Sequence, residues 1–354
     1  MYTSPLVGAL VTDIESPVRT QTRVQYFLLW LGLFYTVWLT LIVAGGHLSA
    51  FREHWGIGVA MALGSYFAGS TPMGGGTVGF PVLVLVFGEP ASMGRDFSLA
   101  IQSIGMTSAG ILIFCMRQPL EWRMLRWAFA GAAIGTPLGL AFIAPHVPGL
   151  YAKLTFATLW ASFGMLHFVK VGEISRMSGL AKMSARFDAV CGLTIGLGAG
   201  ALVVSTTGVG VDMLIYIVLV LMCRADLRIA IPTSVVLMAY ASVIGFFTQA
   251  SLAQFLPDRY ALSPGLLANW IVAAPIVALG APFGVVACKL IPRRVTLLIV
   301  SGLCMIQSVW TLYHERAQLS AGIVAGVVIA LLALNLVFML MYDAGRRMAS
   351  RQSS

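Results

Sequence analysis

The sequence predicts an all-α polytopic membrane protein built from two inverted repeats. Each repeat is a glycine-rich hairpin, re-entrant or made of a broken helix, followed by three transmembrane helices. One extra helix stands at each end. Three observations predict this. The 354 residues are 59% hydrophobic and only 10% charged, whereas a soluble domain carries about 25% charged residues. Two long apolar segments are interrupted by glycine-rich runs that suit no helix interior. Motifs of the first half then recur in the same order in the second.

Taken in order, residues 1–23 are polar and mixed in charge, a cytoplasmic N-terminal segment. The apolar run 24–46 is too long for the h-region of a secretory signal and no A-x-A site follows. Segment 24–54 is therefore a retained helix and its loop, with Trp30, Tyr35 and Trp38 among its aromatics. Repeat 1 covers 55–170. It opens on the apolar segment 55–87, which has no charge between Trp55 and Phe87 and carries Gly69-Ser70-Thr71-Pro72-Met73-Gly74-Gly75-Gly76-Thr77. Helices at 97–116, 123–144 and 149–169 follow, each near the ~20 residues that cross a bilayer. A basic loop, 171–188, holds Arg176, Lys182 and Arg186 and follows Lys170. Repeat 2 covers 189–314: a hairpin at 189–222 carrying Ser205-Thr206-Thr207-Gly208-Val209-Gly210, then helices at 229–250, 265–288 and 294–313. The last helix, 320–342, belongs to a C-terminal segment, 315–354.

The recurrence rests on three matches. Thr71-x-x-Gly74-x-Gly76 aligns with Ser205-x-x-Gly208-x-Gly210, Ala100-Ile101-Gln102-Ser103 with Ile231-Pro232-Thr233-Ser234, and Gly135-Thr136-Pro137-Leu138-Gly139 with Gly280-Ala281-Pro282-Phe283-Gly284, at shifts of 134, 131 and 145 residues. Charge decides the orientation. If every segment crossed once, 12 Lys/Arg would lie inside and 10 outside; if both hairpins return to their own side, the split is 17 to 5. The positive-inside bias selects the second arrangement. A hairpin plus three crossings is an odd unit, so the halves run inverted, and both segments fit two short helices joined at the glycines.

The net charge of +9 follows the same bias, and no basic run is dense enough for nucleic acid. Cys115, Cys191, Cys223, Cys288 and Cys304 form no C-x-x-C pair and read as small hydrophobes. The histidines, at 47, 54, 146, 167 and 314, stand near segment ends at no ligand spacing and read as interfacial packing. No metal site, catalytic group or cofactor is read.

Hairpins entering from opposite faces can bring their tips together at the midplane. Where a half-helix starts there, its first N–H groups are unpaired and its dipole end is positive, which suits a small anion. Gly74, Gly75, Gly76, Gly208 and Gly210 let an anion approach the backbone, and Ser70, Thr71, Thr77, Ser205, Thr206 and Thr207 offer hydroxyls. The competing reading is that the glycines only allow close helix packing. Gln102, Ser103, Thr233 and Ser234 follow each hairpin, and Pro232 is expected to unwind its helix beside Thr233. The runs Gly131-x₃-Gly135-x₃-Gly139 and Gly280-x₃-Gly284 read as packing faces. Asp212 is the coupling candidate, because a carboxylate inside a membrane is a functional residue by default. Either it exchanges a proton as the anion moves, or it caps the broken helix through backbone N–H groups.

Gly74-Gly75-Gly76 with Pro81-x-Leu83, and Ala230-Ile231-Pro232-Thr233-Ser234, resemble motifs of the sulfite/organosulfonate exporter (TauE/SafE-like) permeases. The resemblance spans about 56–313, although Ala100–Ser103 lacks the family's G-T pair and the second glycine run is thinned to Gly208-x-Gly210. It implies a secondary transporter that exports a small sulfur-containing anion by alternating access, with the lipid bilayer as its other partner. The expected location is a bacterial inner membrane, and the 17-to-5 charge split puts both termini in the cytoplasm. Two alternatives stand beside it: a passive anion channel on the same hairpins, and an intramembrane aspartyl protease. The protease needs G-x-G-D and a second deep aspartate, but Asp212 is one residue out of register and Tyr342-Asp343 ends the last helix.

Overall fold

Apolar chain inside a bilayer must satisfy its own backbone, and a helix does so within one segment. The computed structural model describes residues 17–287 and 290–353, and no strand occurs among them. Twelve principal helices result: α1 (Pro17–Gly45), α2 (Trp55–Ser70), α3 (Gly76–Val86), α4 (Ala91–Cys115), α5 (Trp122–His146), α6 (Gly149–Ile174), α7 (Ala185–Thr207), α8 (Val211–Leu221), α9 (Leu227–Phe255), α10 (Leu266–Ala287), α11 (Arg293–His314) and α12 (Ala321–Ser353). Nine of them are long and apolar enough to span a membrane, while α3 and α8 are short apolar helices. The protein is thus an integral, polytopic, all-α membrane protein.

Local chemistry sets several boundaries. The Ser184 side chain accepts from Phe187 N at 3.2 Å and starts α7. The carboxylate of Asp226 does the same for α9, accepting from Arg228 N at 2.8 Å. Both caps supply an acceptor for an otherwise orphan N–H. Because of its cap, α7 begins four residues before the expected 189. At 23 residues it is a full-length arm rather than the short one expected. Helix α4 also starts earlier than expected, at Ala91 behind Pro90 rather than at 97, with Arg95 and Asp96 paired at 2.7 Å in its second turn.

The packing partners of the first half reappear, exchanged, in the second. Helix α2 lies on α10 and α7 lies on α5, while α4 meets α9 and α6 meets α11. Bare backbone makes two of these crossings possible. A Cβ at Gly135 would strike Leu197 O, one at Gly196 would strike Ala128 O, and one at Gly284 would strike Tyr66 O. The Gly-x₃-Gly runs are therefore contact faces, as their spacing predicts. Wide π-type turns at Gly139–Ile143 and Gly200–Val204 fall where α5 and α7 cross.

The core joins Phe80, Phe156, Trp160, Phe163 and Tyr216. Here the structure corrects the expectation for one histidine. His167 is fully buried, with Nε2 3.1 Å from Tyr216 Oη and Nδ1 2.9 Å from Phe163 O. It is a core residue on α6, because the helix runs on to Ile174 and leaves position 167 well inside. Helices α1 and α12 sit at the periphery. Tyr35 Oη donates to Pro275 O at 2.6 Å, and Tyr342 lies under Lys170 and Arg224 at 4.5 and 5.5 Å. Their remaining apolar faces are exposed, as lipid-facing surfaces are. Cys115, Cys191, Cys223 and Cys304 are free thiols, and Cys288 lies outside the described residues.

Candidate functional site

Both glycine-rich runs break their helices. After Ser70 the chain turns extended at Thr71 (φ −139°, ψ 164°) and becomes helical again at Gly76. After Thr207, Gly208 and Gly210 take φ of 78° and 112°, a left-handed backbone that costs an L side chain about 1–2 kcal/mol. The two breaks meet. Gly74 N donates to Asp212 Oδ2 at 2.8 Å, and Gly210 N donates to Asp212 Oδ1 at 3.2 Å. One carboxylate thus caps its own break and reaches the opposite tip 138 residues away in sequence. Its position in the first turn of α8 is favourable for a negative charge.

Helix α4 lies across this junction. Gln102 Nε2 donates to Gly208 O at 2.8 Å and Ser98 O at 3.0 Å. Its Oε1 is buried beside Gly74 without a partner, and Ser98 Oγ and Thr77 Oγ1 are unpartnered as well. A Cβ at Gly76 would come within 2.8 Å of Ser98 Cβ, and one at Gly208 within 2.7 Å of the same atom. Ser98 therefore stands between the two tips. Being four residues before Gln102, it shares that helix face, and this spacing was the available signal for it. Gln307 on α11 also joins the junction, donating to Thr77 O at 3.0 Å.

The remaining expected residues divide. The hydroxyls of Ser70 (to Tyr66 O, 2.8 Å), Thr71 (to Phe67 O, 2.6 Å), Thr206 (to Leu202 O, 2.7 Å) and Thr207 (to Val203 O, 2.8 Å) donate one turn back. Ser205 bonds Ala201 O in the same way. Their oxygens stay at the tips, but their protons are engaged within their own helices. Gly75 lies in the first break in an ordinary right-handed conformation (φ −62°). Ser103 and Ser234 bond Ala100 O and Ile231 O on their own helices, both at 2.8 Å. Thr233 Oγ1 donates to Ile229 O at 2.7 Å and accepts from Glu121 N at 3.0 Å, which ties α9 to the turn before α5. Nor does Pro232 unwind α9, which continues through it. Gln102 lies eleven residues beyond the start of α4 but Thr233 only six beyond the start of α9. The two motifs therefore sit at different depths.

A cavity of about 560 Å³ leads to the first tip. Ser70, Thr71 and Pro72 form one wall, and Arg117, Arg228 and Arg293 contribute cations from three elements. Among the described residues no acid lines it, although Arg293 is held by Asp226 at 2.9 Å just outside. Such a basic funnel concentrates anions. At its inner end the tips, Ser98, Gln102 and Asp212 are buried and close the way.

A polytopic helical scaffold whose two broken elements meet at backbone donors, beneath a basic cavity, is the architecture of a membrane transporter for small solutes. The chain belongs to the sulfite exporter TauE/SafE family, whose profile matches residues 56–311. No curated protein and no solved structure matches it. The family is one of exporter-type membrane transporters for sulfite and related sulfur anions.

Proposed function

We propose that the protein exports a small sulfur-containing oxyanion, sulfite or an organosulfonate, across a bacterial inner membrane by alternating access. One observation carries the reading. Gly74 and Gly210, one from each tip, aim N–H groups at a single carboxylate, so the junction already accommodates a negatively charged oxygen. A substrate oxyanion offers the same acceptor chemistry and takes these donors when Asp212 leaves them. Asp212 is then the coupling residue: a proton on its carboxyl weakens its hold on the tips and frees the site.

The 17-to-5 division of Lys/Arg supports cytoplasmic termini and halves that run inverted. In that orientation Arg117, Arg228 and Arg293 face the cytoplasm, where an exporter loads. The buried junction between the tips favours a carrier over an open channel. The test is binding of a panel of anions to purified protein: sulfite, sulfate, thiosulfate, taurine and small carboxylates. Saturable sulfite or sulfonate binding, weakened at least tenfold in Gly208→Ala, supports the reading. Equal binding by that variant removes the tips from the site.

A further inference from the structure

At the other end of α4 and α9 lies a second cavity, of about 410 Å³. The first cavity takes the last residues of α4 and the first of α9. The second takes Pro90, Ala91, Ser92 and Arg95 from the start of α4 and Gln249 from near the end of α9. The 25 residues of α4 rise about 37 Å, so the cavities lie toward opposite faces. Thr206 reaches the second cavity from the second tip, much as Thr71 reaches the first from its own.

We propose that this second cavity is an oxyanion site, one that binds the sulfite or sulfonate group on the far side of the junction. Four observations point there. Gln249 is only 3% exposed, lines the cavity, and has no hydrogen bond to any described residue. Its amide is therefore left to the cavity, where an anion would accept from its Nε2. Second, two long helices begin at the wall, α4 at Ala91 and α6 at Gly149, and neither has a side-chain cap. Their first N–H groups and positive dipole ends suit an anion. Third, Arg95 and Arg259 both line the cavity; Arg95 is held by Asp96 at 2.7 Å just outside it, and no acid among the described residues lines the wall. Arg259 has no acidic partner among the described residues; its guanidinium lies 3.3 Å from His146 Nε2 and 5.4 Å from the centre of the Tyr260 ring. Fourth, Leu140, Val147 and Ala152 give the cavity an apolar wall, a surface for the short alkyl part of an organosulfonate.

The ligand class is borrowed from the anion-carrier reading, and the site makes that reading more specific: the route has a binding station on each side of the tips. Titration calorimetry of the full-length protein in detergent, with anaerobic sodium sulfite and then taurine, tests it. Wild type should show two sites. Gln249→Leu should weaken one of them at least tenfold and leave the other unchanged, with an unaltered melting temperature. Gly74→Ala, whose Cβ would meet Gln102 Oε1 and Asp212 Oδ2 and no residue of the second cavity, should do the reverse, so each site reports separately. Arg259→Gln should weaken the same site as Gln249→Leu and flatten its salt dependence. A single site, lost in Gly74→Ala and untouched by Gln249→Leu, overturns this proposal while sparing the carrier. Failure of wild type to bind either probe overturns both. Phospholipid that copurifies with wild type but not with Gln249→Leu, with sulfite heat absent from that site, overturns it too, because the cavity then takes a lipid headgroup.

Discussion

Removing the Asp212 carboxylate should loosen the junction by a calculable amount. Gly74 N and Gly210 N reach its two oxygens at 2.8 and 3.2 Å, and all three residues are buried. The cost is best counted from the donors left behind, because the desolvation of the carboxylate itself largely cancels its attraction to them. An unsatisfied buried N–H costs about 1–3 kcal/mol. Asp212→Ala strands two, so it should destabilise by about 2–6 kcal/mol. Asp212→Asn keeps one acceptor oxygen but turns an NH₂ toward the other donor, so it should cost about 1–3 kcal/mol. The order of stability is therefore wild type, then Asn, then Ala. Thermal unfolding of purified protein in detergent, repeated in a titration with denaturing detergent, reads that order. An Ala variant as stable as wild type would show that Asp212 does not hold the two tips together. The Asn variant carries a second readout: it should still exchange anion but lose its dependence on a pH gradient. Wild-type pH dependence in a well-folded Asn variant removes Asp212 from coupling.

Gly208→Ala should cost at least 1–2 kcal/mol, since its φ is 78° and the new Cβ would sit 2.6 Å from Arg95 O. Gly75→Ala should be nearly neutral in stability, because its φ is −62° and the nearest atom to a Cβ is Met61 Cε at 3.5 Å. Equal melting temperatures for the two variants would refute the description of the second break. Arg228→Gln should weaken anion binding and flatten its salt dependence without loss of stability, whereas Arg293→Gln should also destabilise because it strands Asp226. Unchanged salt dependence in both would remove the cavity from the route. In a cysteine-free background, cysteines at 52 and 95 should be labelled from outside and those at 176 and 186 only after permeabilisation. Strong outside labelling at 176–186 would overturn the inverted arrangement.

The membrane class and most helices were legible because a bilayer leaves apolar sequence few options. The breaks were legible because Gly74-Gly75-Gly76 and Gly208-Val209-Gly210 are out of place between helical runs. What the sequence did not show is the junction between them. Nothing local to Asp212 says that it reaches Gly74, a contact that depends on how the two arms tilt. Ser98 was within reach of an i, i+4 argument from Gln102. Thr233 and Ser234 were placed by motif alignment, which matched residue types but not depth within α4 and α9. Arg117, Arg228, Arg293 and Gln249 look like ordinary residues near helix ends. Only the packing of four or more elements around them encloses the cavities they line.

A carrier of the proposed kind passes an anion from one tip to the other without ever forming an open pore. Counterflow measures this directly. Proteoliposomes loaded with unlabelled sulfite and diluted into a trace of ³⁵S-sulfite, with the membrane potential clamped, should accumulate label transiently above its external concentration before it equilibrates. Gly208→Ala should abolish the overshoot. Monotonic equilibration by wild type, with flux that does not saturate as sulfite rises, would rule out a carrier and leave a passive channel in its place.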